Sequence, residues 1–200
     1  MKKYSVIFCV FLFWGCTTSK KTKCTDLPAI QPKSYTQLCT MIDSIIIPRY
    51  QVGYIEFPFT LREDSNFRAI QDNPCSYKLS LIAMLNDDNL DRIHKMVVLY
   101  SLQHLCIDDY IPVLTAVYTL YKNKKVDEEF MFTAIVQHLS IEVIKNYNNV
   151  HVQKVLNNVL PLLKEKAKQD NIKEILSGSI WKNLKTYYRE SGVPMPWTCD

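Results

Sequence analysis

Residues 128–147 read EEFMFTAIVQHLSIEVIKNY, and this stretch decides the fold. Its apolar side chains are spread almost all the way round a helix, which is typical of a helix that packs against neighbours on several sides. Asp127 precedes the stretch in an N-cap position, and Glu128 and Glu129 lie where a helix N-terminus favours negative charge. The sequence therefore predicts a central helix over residues 128–147, with these apolar residues buried: Phe130, Met131, Phe132, Ile135, Val136, Leu139, Val143 and Ile144.

Amphipathic runs on both sides of this stretch predict that the rest of the chain is helical as well. Apolar residues recur at helical spacing, and only four glycines interrupt the chain. A first helix begins at the capping box formed by Ser34 and Gln37 and ends at Pro48. We expect about six or seven helices in all, the others covering residues 75–86, 89–105, 109–123, 150–168 with a kink at Pro161, and 170–191, with Gly192 and Pro194 after them.

Two pairs of aspartates stand at the start of apolar helical runs. Asp87-Asp88 precedes the run over residues 89–105, and Asp108-Asp109 opens the run that reaches residue 123. An aspartate in this position accepts hydrogen bonds from the free N–H groups of the first helical turn. We therefore interpret both pairs as helix caps and not as paired catalytic carboxylates.

Residues 49–63 interrupt the helical rhythm. Phe57, Phe59 and Leu61 alternate around Pro58, which is typical of an extended segment. Taken together, the patterns predict an all-α fold of stacked antiparallel helices, either a bundle or a short α-solenoid. We expect a single domain over residues 34–200, with its one extended segment near residues 49–63.

A short internal sequence similarity suggests a repeat. Gln103-His104-Leu105 recurs as Gln137-His138-Leu139, and apolar positions around the two copies line up. A spacing of about 34 residues between paired helices resembles helical-repeat proteins of the HEAT and tetratricopeptide types. Two unrelated amphipathic helices would show the same internal similarity by chance, and stacked helices are expected in either case.

The first residues resemble an export signal. The segment MKKYSVIFCVFLFWG has two lysines and then an apolar run of roughly half the length that a membrane span requires. Gly15 ends this segment and Cys16 follows it, an arrangement that resembles the signal of bacterial lipoproteins. Phe13 and Trp14 are bulkier than the residues which that family prefers. The resemblance implies a signal peptide over residues 1–15 and lipidation of Cys16, palmitate included.

The same resemblance implies a place in the cell. A lipidated Cys16 would anchor the chain in a membrane of the bacterial envelope. Thr17 stands where Asp favours inner-membrane retention in Gram-negative members of the family, so the outer membrane, facing the periplasm, is the expected site. Residues 16–33 are rich in Lys, Thr and Pro and predict a flexible tether. A secreted protein or an uncleaved anchor is the alternative.

The cysteine count agrees with export. Seven cysteines occur, and five remain once Cys9 leaves with the signal and Cys16 is lipidated. Disulfides are stable in an oxidising envelope, and an odd count leaves at least one thiol free. Cys39 and Cys106 lie in apolar helical stretches, which indicates buried residues. The remaining three lie near segment ends, where pairing is easier: Cys24, Cys75 and Cys199.

No pattern indicates catalysis, a metal or a cofactor. Ser177-Gly178-Ser179 lies in a predicted helix without the pattern of an activated nucleophile, and no glycine-rich loop could cradle a phosphate. The net charge is +4 and falls to +2 after loss of Lys2 and Lys3, with no clustered basic face of the kind that nucleic acids require. None of the four histidines has a partner at the spacing of a helical zinc site: His94, His104, His138 and His151.

Two aromatic groups are the candidate binding residues, because Tyr and Trp combine apolar area with a polar group. They are Tyr50, Tyr54, Phe57 and Phe59 in the first group, and Trp181, Tyr187, Tyr188 and Trp197 in the second. Either group could instead cover the protein's own helices. We expect a membrane-anchored envelope protein whose helical domain binds a protein partner. The alternatives are a periplasmic immunity protein that neutralises a toxin and a structural subunit of an envelope assembly.

Overall fold

The computed structural model describes Cys24 and residues 35–51, 60–102, 105–137 and 140–192. This part of the chain is 82% helical and has no strand, so the predicted all-α fold is confirmed. Ten α-helices follow one another: α1 Tyr35–Gln51, α2 Ser65–Asp72, α3 Pro74–Asn86, α4 Arg92–Ser101, α5 Ile107–Lys122, α6 Glu128–Phe132, α7 Ser140–Lys145, α8 Val150–Val159, α9 Lys166–Leu176 and α10 Ser179–Ser191. None of the helices in these ranges is both long enough and apolar enough to span a membrane.

Helix α5 joins two groups of helices. On one side α1 packs against α2, α3 and α4, and α3 also packs against α4 and α5. On the other side α5 contacts α6 and α8, while α9 contacts both α8 and α10, and α10 contacts α7. The buried apolar residues of both groups form one continuous core.

Those apolar residues of the stretch 128–147 whose side chains the structure describes are buried as predicted, but the stretch is not a single α-helix. Phe130, Met131 and Ile135 are fully buried, and so is Val143 beyond them. After α6 the chain widens into a π-helical turn, Thr133–Gln137, before α7 begins. The Tyr110 hydroxyl of α5 donates a hydrogen bond to the carbonyl of Ala134 at 3.1 Å. Such a turn leaves carbonyls outside the regular α-helical pattern, and Tyr110 provides a buried partner for one of them.

The first predicted boundaries differ from the structure. Helix α1 continues through Pro48 to Gln51, because a proline removes only one helical hydrogen bond and packing of the helix can offset that loss. Of the predicted extended segment, residues 49–51 are helical and Thr60–Glu63 forms a 3-10 turn. Residues 52–59 lie outside the described residues. Helix α2 was not predicted, and its N-cap Asp64 accepts hydrogen bonds from the amides of Asn66 and Phe67.

The first aspartate pair does not cap the N-terminus of α4; Asp87 is the C-cap residue of α3. Asp91 is the N-cap of α4 and accepts hydrogen bonds from the amides of Ile93 and His94. Asp87 instead accepts a hydrogen bond from the phenol of Tyr35, and Asp88 forms an ion pair with Lys125 at 2.6 Å. The prediction was wrong because α4 begins three residues later than expected, at Arg92.

The second pair lies inside the first turn of α5 and not before it. The N-cap of α5 is Cys106, which makes no capping hydrogen bond through its side chain. Asp109 is 4% exposed and serves as a buried acceptor: it takes hydrogen bonds from the ammonium of Lys78 and from the amide of Cys24, both at 2.7 Å. The carboxylate thereby links three parts of the chain.

The C-terminal part has more breaks than the sequence indicated. Helix α8 ends at Val159, where Pro161 lies in a 3-10 turn over Leu160–Leu162 instead of causing a kink. The single helix predicted for residues 170–191 is two helices, α9 and α10, separated at Ser177-Gly178. Gly178 adopts φ of +73°, a left-handed conformation that glycine accepts without steric cost. Gly192 ends α10 as predicted, with φ of +69°.

The cysteines are partly paired. Cys24 and Cys75 form a disulfide that joins the segment before α1 to the start of α3. Cys106 is 3% exposed and is also disulfide-bonded. Within the described residues Cys39 is a free thiol, and it is only partly buried, so the prediction of burial was right for Cys106 and too strong for Cys39.

Removal of the Ile135 side chain tests the central place of the buried stretch. Ile135→Ala should lower the free energy of unfolding by about 2–5 kcal/mol, because it removes buried methyl groups and leaves a cavity. Lys122→Ala, at an exposed position, should change it by less than about 0.5 kcal/mol. Urea unfolding followed by circular dichroism measures both, and equal midpoints for the two variants would contradict the assignment. Leu139 lies outside the described residues.

The turn between α9 and α10 gives a second stability test. A Cβ atom on Gly178 would lie 2.6 Å from the Tyr147 ring, whereas a Cβ on Gly192 would meet nothing within 4 Å at nearly the same φ. Gly178→Ala should therefore cost about 1–3 kcal/mol, from backbone strain and the clash together. Gly192→Ala carries the backbone strain alone and should cost less in thermal unfolding. A larger loss in Gly192→Ala would show that Tyr147 does not restrict this turn.

Candidate functional site

Helix α10 carries the described part of the second aromatic group. Ile180 and Leu184 are buried and attach the helix to the core, while Trp181 and Tyr188 are partly buried against its edge. Tyr187 contacts Tyr188 edge to face, with ring centroids 5.4 Å apart. Three of the predicted binding residues therefore lie together on one helix.

The outer surface of α10 combines these rings with positive charge. Lys182, Lys185 and Arg189 are exposed, against a single acidic residue, Glu190. The Lys185 ammonium lies 5.7 Å from the centroid of the Trp181 ring, within the range of a cation–π contact. We name this surface the α10 face: Trp181, Lys182, Lys185, Tyr188 and Arg189.

Structure and prediction differ in how much of the aromatic groups is free. Trp181 and Tyr188 are among the residues that pack on the hydrophobic core, so part of each ring is structural. Burial raises the pKa of Tyr188, because the phenolate would lose solvation. Tyr50 lies in the last turn of α1, where the structure describes the backbone. The other four candidates are outside the described residues: Tyr54, Phe57, Phe59 and Trp197.

A second polar cluster, which the sequence analysis did not find, is centred on His94. Its Nδ1 atom lies 2.7 Å from Asp91 and its Nε2 atom 3.1 Å from Asp43 of α1. Burial favours the neutral ring, but the two carboxylates outweigh it and raise the pKa of His94. His94 thus joins α4 to α1 through Nε2, while its Nδ1 binds the N-cap residue of its own helix.

Cys39 lies on the same helix as Asp43, one turn away. Burial raises the pKa of the Cys39 thiol, although a hydrogen bond with Tyr35 opposes the shift. A thiol with a raised pKa is mostly protonated at neutral pH and is a weak nucleophile. The Tyr35 phenol donates to Asp87, and this contact lowers the pKa of that carboxyl group. The geometry supports a structural joint between α1 and the α3–α4 loop.

A third cluster joins α6 to α9. The Lys168 ammonium lies 2.8 Å from Glu165 and 2.9 Å from Glu129, and the Phe132 ring lies 5.7 Å away. These carboxylates raise the pKa of Lys168 despite its burial. The Glu128 carboxylate accepts a hydrogen bond from the amide of Lys164 at 2.8 Å. Every charge in this cluster has a partner within the protein, which favours a structural role.

The sequence contained one signal for the His94 cluster. Asp91 and His94 are three residues apart, which places them on the same side of a helical turn. Asp43 could not be found in this way, because it approaches only through packing of α1 on α4. In the described ranges no three His, Cys, Asp or Glu side chains are grouped so that they could hold a metal ion.

The described residues thus define an all-α protein with a basic, aromatic α10 face and four polar joints, centred on Asp87, His94, Asp109 and Lys168. Comparison of the chain with known protein families, curated proteins and solved structures gives no match.

The His94 joint predicts a dependence of stability on pH. Because the pKa of His94 is raised in the folded protein, its stabilising contribution is complete below its ordinary value of 6.5. It is lost as the pH rises through the folded value. The unfolding midpoint in urea should therefore fall as the pH rises above about 6.5, and His94→Gln should reduce that fall.

The matched control for this prediction is His151→Gln, since His151 is an exposed histidine at the start of α8. The dependence on pH should be the same in this variant as in the unchanged protein. If the unfolding midpoint depends on pH in His94→Gln as it does in the unchanged protein, the two carboxylates do not stabilise the charged ring.

Proposed function

We propose that this protein is a lipid-anchored component of a bacterial cell envelope, and that its helical domain binds an acidic surface of a protein partner through the α10 face. The observation that carries the anchor is Cys16 directly after Gly15, at the end of a short apolar segment with two lysines before it. Alkylation of this thiol and acylation of the new amine would give stable attachment, because two or more acyl chains hold a protein firmly on a membrane.

The disulfides support an exported location. Cys24–Cys75 is a bonded pair, and Cys106 is bonded as well. Such bonds persist in oxidising compartments such as the periplasm and are rare in the cytosol. This support is independent of the N-terminal segment.

The α10 face supports the binding role. Tyr and Trp are enriched at protein interfaces, and partly exposed rings beside mobile cations suit a partner with negative charge. Ile180 and Leu184 hold the helix against the core, so the surface is presented by a packed element. Rigid elements position binding groups at a lower entropy cost than flexible ones.

Substitution of Cys16 tests the anchor. Cys16→Ala should abolish incorporation of labelled palmitate and leave the precursor uncleaved or release it from the membrane fraction. The matched control is Cys9→Ala, in the same N-terminal segment, which should label normally. Palmitate labelling that persists in Cys16→Ala would refute lipidation at this residue.

Charge reversal tests the α10 face. In the native cell, cross-linking should capture a partner, and Lys182→Glu with Lys185→Glu should reduce the yield of that cross-linked product on the order of tenfold. Lys122→Glu with Lys154→Glu changes the net charge equally, at exposed sites on α5 and α8, and should leave the yield unchanged. Equal yields from the two double variants would rule out α10 as the binding surface.

A further inference from the structure

We infer that the domain meets the membrane with the end at which α3 and α5 begin, and that Leu79 lies at the lipid head groups there. This inference rests on the lipid anchor proposed at Cys16. It adds an orientation, which the anchor alone does not give.

Two independent contacts fix Cys24 to this end of the domain. Its sulfur is bonded to Cys75, in the first turn of α3. Its amide donates a hydrogen bond to the Asp109 carboxylate, in the first turn of α5, at 2.7 Å. Lys78 binds the same carboxylate at 2.7 Å and holds the two helices together at this point. A chain that leaves the membrane at Cys16 is therefore joined to the domain at Cys24.

The chain between the two cysteines is short. About eight residues span at most about 28 Å when fully extended. A random coil of eight residues has a root-mean-square length of about 14–17 Å. A folded domain of this size has a diameter of about 40 Å, taken from a radius of gyration near 16 Å. Because the link is shorter than the domain is wide, the end that carries Cys24 stays near the bilayer.

The surface at this end suits a lipid head-group region. Leu79 is 65% exposed and lies one helical turn after Cys75, on the same side of α3. The linking chain contains Lys20, Lys21 and Lys23. Lysines close to an anionic membrane strengthen binding to it. The three lysines would therefore draw the linked end toward anionic lipid.

Helix α5 supplies an internal reference for the opposite end. Tyr121 lies about 18 Å along the helix axis from Asp109. The Tyr121 hydroxyl donates a hydrogen bond to the carbonyl of Leu162 at 2.9 Å. Leu162 is 40% exposed and is therefore a comparison site near the far end of α5.

The test uses the full lipidated protein, extracted from cell membranes and placed in vesicles of phosphatidylethanolamine and phosphatidylglycerol. These vesicles also contain a lipid with a nitroxide on its head group, which quenches nearby tryptophan. In a background of Trp181→Phe and Trp197→Phe, the single tryptophan is introduced as Leu79→Trp or as Leu162→Trp. We expect at least about twofold stronger quenching at position 79, as the short link requires.

Loss of the disulfide should remove the difference. With Cys24→Ser and Cys75→Ser the domain can move away on a longer link, so quenching at the two positions should become similar. Cys39→Ser, the matched control at the free thiol, should preserve the difference. Circular dichroism verifies that each variant is folded.

Three distinguishable outcomes would each contradict one part of the inference: the orientation, the role of the disulfide in it, or the anchor on which both rest. Equal quenching at positions 79 and 162 in protein that carries palmitate would refute the orientation and leave the proposed anchor intact. A difference that survives in Cys24→Ser with Cys75→Ser would show that the disulfide does not set the orientation. Absence of palmitate from the unchanged chain would refute the anchor and the orientation together.

Discussion

The structure depends on the burial of α5 from two sides. Val113, Leu114 and Val117 are fully buried, and the helices that cover them come from both halves of the chain. Burial of such side chains contributes about 1.5–3 kcal/mol each relative to exposure. Because neither half can cover α5 alone, we expect the two groups of helices to unfold together.

Charged groups in this protein lie where helices from distant parts of the sequence meet. The Asp109 carboxylate binds the Lys78 ammonium and the Cys24 amide. His94 binds Asp43, and Lys168 forms an ion pair with Glu129. Asp109 is buried, so loss of Lys78 would leave its charge poorly solvated, which costs more than the pair itself contributes. Most of the carboxylates around His94 and Lys168 are instead about half exposed. The polar residues thus fix which helices meet, while apolar burial supplies the main stabilisation. The α10 face combines aromatic rings and positive charge outside these joints.

Helical periodicity predicted the fold class and the burial of the apolar residues between 130 and 135, because both depend on local spacing. It did not predict the π-helical turn, where Tyr110 of another helix binds the Ala134 carbonyl. The break at Gly178 was missed because the apolar spacing continues across it, and the left-handed backbone there accommodates Tyr147. At the candidate site, the helical pattern correctly placed Trp181, Tyr187 and Tyr188 on one helix. How deeply each ring is buried is decided by the neighbours of α10, which no local pattern contains.

The position of Cys39 along the chain has a consequence for oxidative folding. The native bond Cys24–Cys75 spans 51 residues, whereas Cys39 follows Cys24 much sooner. Closing the shorter loop costs about 1 kcal/mol less entropy in an unfolded chain, so the incorrect pair forms first several times more often. A chain that emerges N-terminus first also exposes Cys39 before Cys75. A chain that forms the incorrect pair first reaches the native pair only by thiol–disulfide exchange, and packing of α1, which partly covers Cys39, then protects the native pairing.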